Sequence, residues 1–474
     1  MKNILLIVAI LLISNSSRAQ WEPDVRLTND PYSSQTAYNC AHAIASPGDT
    51  IHVVWYDYRD GNAEIYYKRS DDKGLSWTDD MRLTYDPSNS RSPSILVSGS
   101  TVHVVWEDDR DGNFEIYYKR SLDGGNSWGN DIRLTYTPSY TWHPSLIAAD
   151  SILHLVYYDY ANGWWEIYYQ RSTDLGSTWE QPVRLTNDHA GSFWATICSK
   201  DTVLHLAWYD GRDGNWQIYY KRSEDNGSTW GVDTRLTFTN DTSWRPCIAV
   251  SDSCIHVVWE GYRDHIGQIY YKRSCDGGNT WSNDIRLTDL SGTSIRPNLA
   301  ASGKGVSVTW VDDRDGNKEI YYKQSYDEGL SWEPDIRLTE DTAESNHPFI
   351  SVSGPQINVI WYDFRDGNYE IYYKRNPTGG FPVGIGNEKK NIPDKLISVY
   401  PNPASTGIKI YSEINSGKIS EFTIRNLIGE EVLNGQMKDT NTLIDVSGLE
   451  NGIYFVGILT ENKQTGSAKL IILK

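Results

Sequence analysis

The chain has 474 residues, 39% of them hydrophobic, which is enough for a sizeable core and more than one domain. Its 44 basic and 62 acidic side chains give a net charge of −18 without a Lys/Arg cluster, and this excludes a nucleic-acid-binding surface. After the first twenty residues, no stretch reaches the about 20 apolar residues of a membrane-spanning helix. We therefore expect no transmembrane segment in the mature protein.

Residues 1–19 have the pattern of a removable signal peptide. Lys2 supplies a basic start, residues 4–13 form an apolar run, and the small residues Ser17 and Ala19 precede a cleavage point. The mature protein is predicted to begin near Gln20.

Residues 20–380 are built from a 51-residue repeat. Each of six copies contains the same short sequence motif, which in the first copy consists of Ser70, Asp72, Gly74, Ser76 and Trp77. Ser and Asp side chains can hydrogen-bond to turn backbone, Gly allows positive φ, and Trp anchors the hairpin by burial, so we interpret this Asp-box as structural. The aspartates are Asp72, Asp123, Asp174, Asp225, Asp276 and Asp327, and the tryptophans are Trp77, Trp128, Trp179, Trp230, Trp281 and Trp332.

Each unit is predicted to contain four strands, as in a blade of a β-propeller. In the first unit, residues 51–56 and 64–68 are rich in β-branched and aromatic side chains, and a last strand ends in Arg-Leu-Thr at residues 82–84. A shorter apolar run, such as residues 94–97, precedes each pair of adjacent strands and is predicted to be a further strand of the blade. An Ile-Tyr-Tyr strand recurs seven times and predicts an all-β, seven-bladed β-propeller, at Tyr66, Tyr117, Tyr168, Tyr219, Tyr270, Tyr321 and Tyr372.

The seventh unit lacks an Asp-box and a last strand, because the repeat degenerates after Arg375. Residues 21–28 nearly repeat residues 332–339, so the N-terminal strand is predicted to close the seventh blade. Such closure removes exposed sheet edges and joins the two ends of the ring.

Five cysteines are too few and too irregularly spaced for a disulfide framework or a zinc site. One bridge between Cys247 and Cys254 across a hairpin is a possibility, and the alternative is that the cysteines are small buried residues.

The C-terminal part differs in composition from the repeat. Residues 381–394 are rich in Gly and Lys and are predicted to be a linker, and residues 395–474 contain short alternating strands of a small β-sandwich. The Val-Tyr-Pro-Asn-Pro segment at residues 399–403, the segment 448–454 and the final strand resemble the type IX secretion C-terminal sorting domain. This resemblance implies a bacterial protein secreted to the outer-membrane surface or released, with the secretion machinery as a partner.

The Asp-boxes and the secretory features resemble the sialidase-like, BNR-repeat propeller superfamily, which includes enzymes and binding proteins. The resemblance implies, for an enzyme, three substrate-binding arginines, a tyrosine nucleophile with a glutamate, and an aspartate acid. Only Arg245 and Arg296, each before a proline, are loose counterparts of the arginines. Tyr and Glu recur together in most units, as at Glu64 and Tyr66, and are therefore interpreted as repeated sheet residues. The constant spacing offers no long insertion of the kind that builds a catalytic site.

Ligands are expected on the face formed by the loops that lead into each blade and the turns between second and third strands. The usual turn there is Arg-Asp-Gly-Asn, as at residues 59–62, and its arginine is expected to pair with an aspartate of a neighbouring blade. The positive charge of this arginine argues against calcium, so we predict no metal site and no cofactor.

Departures from the repeat concentrate in units three to five. Unit three replaces the turn with residues 161–164 and adds Trp165, and bulky side chains occupy the loops that lead into these units. His143 and His347 are interpreted as polar loop residues. The departures predict an aromatic patch suited to stacking on sugar faces, and the alternative is packing between blades or filling of the central channel; the predicted ligand-binding residues are Trp142, Trp164, Trp194, Trp216, Trp244 and Arg245.

The sequence thus favours a secreted or surface propeller that binds glycan or polysaccharide without covalent chemistry. A sialidase-like glycoside hydrolase is the second hypothesis, and a singular Glu, Tyr, Asp and arginine cluster would favour it. A protein-binding scaffold is the third, favoured if the tryptophans are buried between blades.

Overall fold

The computed structural model describes residues 21–379, except 39, 41 and 264, and residues 397–474, except 401–403, 413–419, 427–429, 438–440 and 461–462. The predicted signal peptide and linker lie outside the described residues. The chain forms two compact units, divided after residue 383. No helix within the described ranges is long and apolar enough to span a bilayer.

The first unit is all-β, as predicted, and contains seven antiparallel sheets. Blade one contains β2 (Ser34–Gln35), β3 (Ile44–Ala45), β4 (Ile51–Asp57), β5 (Glu64–Ser70) and β6 (Met81–Arg82), after β1 (Val25–Arg26). Blade two contains β7 (Ser90–Ser98), β8 (Thr101–Asp108), β9 (Glu115–Ser121) and β10 (Ile132–Arg133). Blade three contains β11 (Thr141–Ala149), β12 (Ile152–Asp159), β13 (Glu166–Ser172) and β14 (Val183–Arg184).

The remaining blades repeat this order. Blade four contains β15 (Ser192–Lys200), β16 (Val203–Asp210), β17 (Gln217–Ser223) and β18 (Thr234–Arg235). Blade five contains β19 (Ser243–Val250), β20 (Ile255–Gly261), β21 (Gln268–Ser274) and β22 (Ile285–Arg286). Blade six contains β23 (Ser294–Ser302), β24 (Gly305–Asp312), β25 (Glu319–Ser325) and β26 (Ile336–Arg337), and blade seven contains β27 (Ser345–Ser353), β28 (Gln356–Asp363) and β29 (Glu370–Asn376) with β1.

The blades form a closed ring. The first strands contact one another in the order β7, β11, β15, β19, β23 and β27, and β27 contacts β3, which contacts β7. Strand β1 pairs with β29 through Val25 and Tyr373, as expected, and Asp24 accepts from Arg365 Nη1 at 2.8 Å. The hydrophobic core lies between neighbouring blades; Val54 and Tyr67 of blade one, for example, pack with Val104 of blade two.

The Asp-box joins adjacent blades. Asp72 Oδ2 accepts from Ser76 Oγ at 2.6 Å, and its Oδ1 accepts from Ser76 N and Ser70 Oγ at 2.8 Å. These hydrogen bonds, that from Ser76 Oγ above all, hold the turn and lower the pKa of Asp72 to about 2. A Cβ on Gly74 would lie 2.2 Å from the Tyr373 hydroxyl, so the turn requires glycine. The box tryptophan packs edge-on against a tyrosine of the preceding blade in six equivalent pairs, and Trp21 supplies a seventh: Trp77–Tyr373, Trp128–Tyr67, Trp179–Tyr118, Trp230–Tyr169, Trp281–Tyr220, Trp332–Tyr271 and Trp21–Tyr322.

The predicted Cys247–Cys254 bridge is wrong. Cys254 and Cys275 form a disulfide, because they flank the paired residues Ile255 and Ser274 on β20 and β21. Cys247 instead pairs in register with Val258 and its thiol is free.

The C-terminal unit is a small two-sheet structure. One sheet has the order β30-β31-β34 and the other β33-β32-β35-β36, and a shared apolar core includes Ile410, Val456 and Leu470. The strands are β30 (Ile397–Tyr400), β31 (Gly407–Ser412), β32 (Ser420–Arg425), β33 (Glu431–Met437), β34 (Asn441–Asp445), β35 (Gly452–Thr460) and β36 (Lys463–Ile472).

Candidate functional site

Bulges in the innermost strands build the centre of one propeller face. Strands β7, β11, β15, β19, β23 and β27 each lose register after their second residue. The next residue has a φ near +50°, which is unfavourable for a residue other than glycine and is retained at sites where a side chain must be redirected. These residues are Ser92, His143, Trp194, Arg245, Arg296 and His347.

Blade one departs from this pattern through an insertion that the constant Asp-box spacing conceals. Ser34 pairs with Asp57, 23 residues later, whereas Ser90 pairs with Asp108, 18 residues later. Described residues of the inserted loop, which lies between Gln35 and Ile44, contact blades six and seven. Thr36 Oγ1 donates to the carbonyl of His347 at 3.3 Å, and Cys40 Sγ donates to the carbonyl of Pro297 at 3.3 Å.

The inserted loop and four bulges enclose a small central cavity. Its lining includes Tyr38, Cys40, Trp194, Arg245, Arg296 and His347. His143 and His347 are buried on strands β11 and β27, so their prediction as polar loop residues is wrong. Burial lowers the pKa of both histidines, to about 3 for His143, and the nearby arginines add to this effect. Both imidazoles are therefore neutral at pH 7.

One carboxylate beside this cavity contacts two arginines, one through its guanidinium and the other through its backbone N. Glu260, 2% exposed, accepts from Arg245 Nη1 at 3.4 Å and from the backbone N of Arg296 at 3.1 Å. Arg296 Nη1 donates to Asn346 Oδ1 at 2.6 Å, and burial together with Arg245 lowers the pKa of Arg296. Among the described residues, Nε of Arg245 and Nε of Arg296 have no acceptor. The arrangement is suited to an anionic group with several acceptor oxygens.

A tyrosine lies on the other oxygen of the same carboxylate. Tyr262 Oη donates to Glu260 Oε1 at 2.7 Å, and burial, reinforced by Glu260, raises the pKa of Tyr262. This pair is distinct from the repeated Glu and Tyr residues, and the sequence analysis missed it. The available signal was Gly261, since every other blade has aspartate at this position.

Glu107 and His143 form a second polar pair at the centre. The backbone N of His143 donates to Glu107 Oε1 at 2.6 Å, and the imidazole Nδ1 lies 3.5 Å from the same oxygen. Burial raises the pKa of Glu107 to about 8, so this carboxyl is mostly protonated at pH 7.

Four predicted tryptophans belong to one continuous set of aromatic rings, called here the aromatic surface. Each of the four is half-buried and packs against an apolar cluster between blades, as the alternative interpretation expected. Trp142 stacks on Trp165 at 5.2 Å, Trp216 contacts Tyr209 at 5.4 Å, and Trp244 contacts Tyr209 at 6.1 Å. Phe193 joins the two halves of this surface, with ring centroids 6.0 Å from Trp165 and 5.5 Å from Trp216.

Trp194 connects the aromatic surface to the central cavity. Its ring stacks on His143 at 4.8 Å, and the guanidinium of Arg245 lies 5.4 Å from its centroid. Trp164 is 44% exposed and contacts the ring of His189 at 5.6 Å. The structure therefore brings Trp194 and Arg245 together and places Trp164 away from them.

The arginines of the repeated turns pair mainly within their own blades. Arg110, for example, pairs with Asp108 at 2.6 Å and Asp131 at 2.9 Å. Both aspartates belong to blade two because β8 and β10 flank β9 in its sheet. Arg59, Arg212 and Arg314 also pair with an aspartate in the segment that leads in from the preceding blade, so the expected pairing across blades occurs at only some of the sites. The described residues contain no cluster of three or more potential metal ligands.

Comparisons with known proteins agree with this fold. Residues 101–308 match the BNR repeat-like domain, and residues 398–473 match the secretion system C-terminal sorting domain. A sialidase from Paraclostridium sordellii is 24% identical over 294 residues, which are 53% of this chain and 71% of the relative.

Solved structures with a similar fold have low sequence identity. The polysaccharide lyase Uly1 is 11% identical, with a TM-score of 0.52 over 75% of this chain and 99% of that chain. A Trypanosoma rangeli sialidase in complex with sialic acid is 12% identical, with a TM-score of 0.43 over 80% of this chain and 83% of that chain.

The match over residues 101–308 and the similarity to a sialidase confirm that the repeats resemble those of sialidase-like, BNR-repeat propellers. The C-terminal part of the chain is a sorting domain for type IX secretion, which directs the protein to the cell surface or the medium.

Proposed function

We propose that this protein is a carbohydrate-binding propeller that holds a glycan across the aromatic surface and the central cavity. The observation that carries the proposal is the contact of Trp194 with the Arg245 guanidinium, at 5.4 Å, at the point where surface and cavity meet. His143 stacks on the Trp194 ring, so Trp194 orients the arginine and the half-buried rings beside it are left to contact the sugar. Aromatic rings stack on the C–H faces of sugars, and arginine binds their acidic substituents bidentately. An anionic glycan uses both features.

A glycan array tests this proposal with the mature chain and two variants. Trp194→Ala removes the central ring and is expected to weaken binding about tenfold, which corresponds to about 1.4 kcal/mol. Tyr85→Ala removes an exposed ring on blade one and serves as the matched control. Binding that is selective and lost only in Trp194→Ala supports the proposal. An absence of glycan binding, or equal binding by all three proteins, contradicts it.

A sialidase-like hydrolase is the second candidate, and the Tyr262–Glu260 pair beside Arg245 and Arg296 favours it. In such a reaction Glu260 accepts the phenolic proton while Tyr262 Oη attacks the anomeric carbon, and the glycosidic oxygen leaves with a proton from an acid.

A fluorogenic sialoside separates the two candidates. Hydrolysis by the mature chain that falls at least a hundredfold in Tyr262→Phe, with glycan binding retained, establishes the hydrolase. Glycan binding without hydrolysis in the unsubstituted chain excludes the hydrolase and leaves the binding role.

A further inference from the structure

An ion network recurs in six blades and joins the turn after the second strand to the start of the outermost strand. In blade two, the guanidinium of Arg110 pairs with Asp108 and Asp131 and lies 4.4 Å from the ring centroid of Tyr117. Lys119 Nζ pairs with the second oxygen of Asp131 at 2.8 Å. In blade five, glycine replaces the first aspartate. The equivalent arginines all lie over a tyrosine ring, at 4.2 to 4.6 Å: Arg59, Arg212, Arg263, Arg314 and Arg365.

Blade three lacks the three central members of this network. Ala161 replaces the arginine, Gln170 replaces the lysine, and Pro182 replaces the second aspartate, whereas Asp159 and Tyr168 are retained. A cavity of about 360 Å³ occupies this place, and Asp159, Tyr168, Gln170 and Pro182 belong to its lining. Its volume is within the range of sites for small ligands.

Two acceptors in this cavity have fewer donors than they can bind, and the first, Asp159, has lost donors that other blades provide. In blade two, Asp108 accepts from Trp106 Nε1 at 2.8 Å and from Arg110, but blade three has Tyr157 and Ala161 at those positions. Asp159 keeps the hydrogen bonds from Thr141 Oγ1 at 2.8 Å and from the backbone N of Ala161 at 2.5 Å.

Gln170 supplies the second acceptor. Its side chain is 3% exposed, and its Nε2 donates to the carbonyl of Glu180 at 3.1 Å. Within the described parts of the chain, its Oε1 has no hydrogen-bond donor. A buried acceptor without a donor is unfavourable, so a ligand that donates here gains affinity.

The electrostatics of the retained aspartate agree with this comparison. Burial acts on the equivalent carboxyls of blades three and four, but in blade four the hydrogen bonds from Arg212 and Trp208 outweigh it and lower the pKa of Asp210. In blade three burial dominates and raises the pKa of Asp159. A cation at the position of the missing arginine would lower the pKa of Asp159, as Arg212 does for Asp210.

We propose that the blade-three cavity binds an alkyl guanidinium group, the side chain of an arginine that a ligand supplies. Asp159 and Gln170 Oε1 accept its N–H groups, and the ring of Tyr168 covers the face of the guanidinium, as the equivalent tyrosine does in six other blades. Guanidinium presents five donors in a plane, which matches two separated acceptors and an aromatic face better than an ammonium group does.

Ligand-observed NMR of the mature chain with N-acetyl-arginine amide tests the site, and N-acetyl-citrulline amide is the uncharged ligand of the same shape. We expect binding of the arginine derivative and at least tenfold weaker binding of the citrulline derivative. Ala161→Arg restores the arginine of the repeat within the chain and is expected to abolish binding, while the matched variant Ala161→Ser retains it.

Six blades already accommodate the arginine, so Ala161→Arg is expected to fold. A cooperative thermal unfolding transition in both variants checks this expectation. Equal binding of the two ligands, undiminished binding by folded Ala161→Arg, or no binding by the unsubstituted chain overturns the proposal. Tighter binding of an arginine-containing hexapeptide than of the blocked amino acid identifies a polypeptide as the source of the guanidinium; equal affinity identifies a small molecule.

Discussion

Glu107 is a buried carboxyl whose protonation makes the stability of the propeller depend on pH. Its side chain is 6% exposed, and its pKa is raised by burial from 4.5 to about 8. The folded state therefore holds this proton more tightly than the unfolded state. The contribution of Glu107 to stability is complete below pH 4.5 and is lost as pH rises towards 8.

Glu107→Gln is expected to stabilise the protein relative to the unsubstituted chain as pH rises from 5 to 8. The amide oxygen still accepts from the backbone N of His143, and no charge has to be buried. The difference in the free energy of unfolding should grow by up to about 1.4 kcal/mol per pH unit, measured by urea unfolding at several pH values. A difference that does not change with pH contradicts the assigned pKa.

Single residues were predictable where they repeat and difficult where they occur once. Asp72 and its equivalents were predicted correctly as turn residues because six copies specify the same hydrogen bonds. Glu260 and Tyr262 are close only because β20 and the following turn place both side chains beside Arg245 and Arg296. In the sequence, they are one more glutamate and tyrosine among many.

At the scale of elements, the seven Trp–Tyr contacts are equivalent in geometry but not in connectivity. Trp128 lies in a hairpin whose two strands are continuous with the chain, whereas Trp21 precedes β1 and would be close to the N-terminus once the predicted signal peptide is removed. Strand β1 has two residues and depends on Trp21, on Asp24 and on its backbone hydrogen bonds to β29.

Trp21→Ala is therefore expected to release β1, while Trp128→Ala is expected only to loosen a hairpin. Each substitution should destabilise the protein by about 2 kcal/mol, less than for a fully buried tryptophan. Hydrogen exchange should accelerate at Val25 and Leu27 in Trp21→Ala, with no comparable change at Ile132 and Leu134 in Trp128→Ala. The same acceleration in both variants would show that chain connectivity is irrelevant to closure.

The strands and the closure of the seventh blade could be predicted from the sequence because alternating hydrophobic patterns and repeated motifs specify them locally. The inserted loop could not, since the period was measured from one Asp-box to the next and residues 36–43 precede the first box. The blade-three cavity was only partly predictable. Ala161 was recognised as a departure from the repeat, but the importance of Gln170 and Pro182 is apparent only once the sheet places them beside it.

At the scale of the whole molecule, five blades share a buried histidine on the second strand. Each Nδ1 lies 2.7 to 2.8 Å from a tyrosine hydroxyl, and burial is the largest cause of a pKa of about 4, or about 3 in blade five. The unfolded chain binds more protons below pH 6.5, so stability falls as pH falls from 6.5 to 4. The residues are His52, His103, His154, His205 and His256.

The propeller should consequently unfold steeply in acid, with up to roughly 7 kcal/mol lost per pH unit if all five sites contribute fully. Blade seven carries Asn358 at this position, where its Oδ1 accepts from Tyr373. His154→Asn is therefore expected to shift the acid unfolding midpoint to lower pH, measured by tryptophan fluorescence, whereas the exposed His189→Asn should leave it in place. An unchanged midpoint in His154→Asn contradicts the prediction.

Ring closure also has a consequence for biosynthesis. Val25 and Tyr373 are 348 residues apart, so β1, made first, has no partner until the last blade has been synthesised. The sorting domain at residues 398–473 follows that blade directly in sequence. A chain truncated before Tyr373 lacks both the closing pair and the sorting domain. A chain that stops before the closing pair is therefore also a chain without the signal for type IX export.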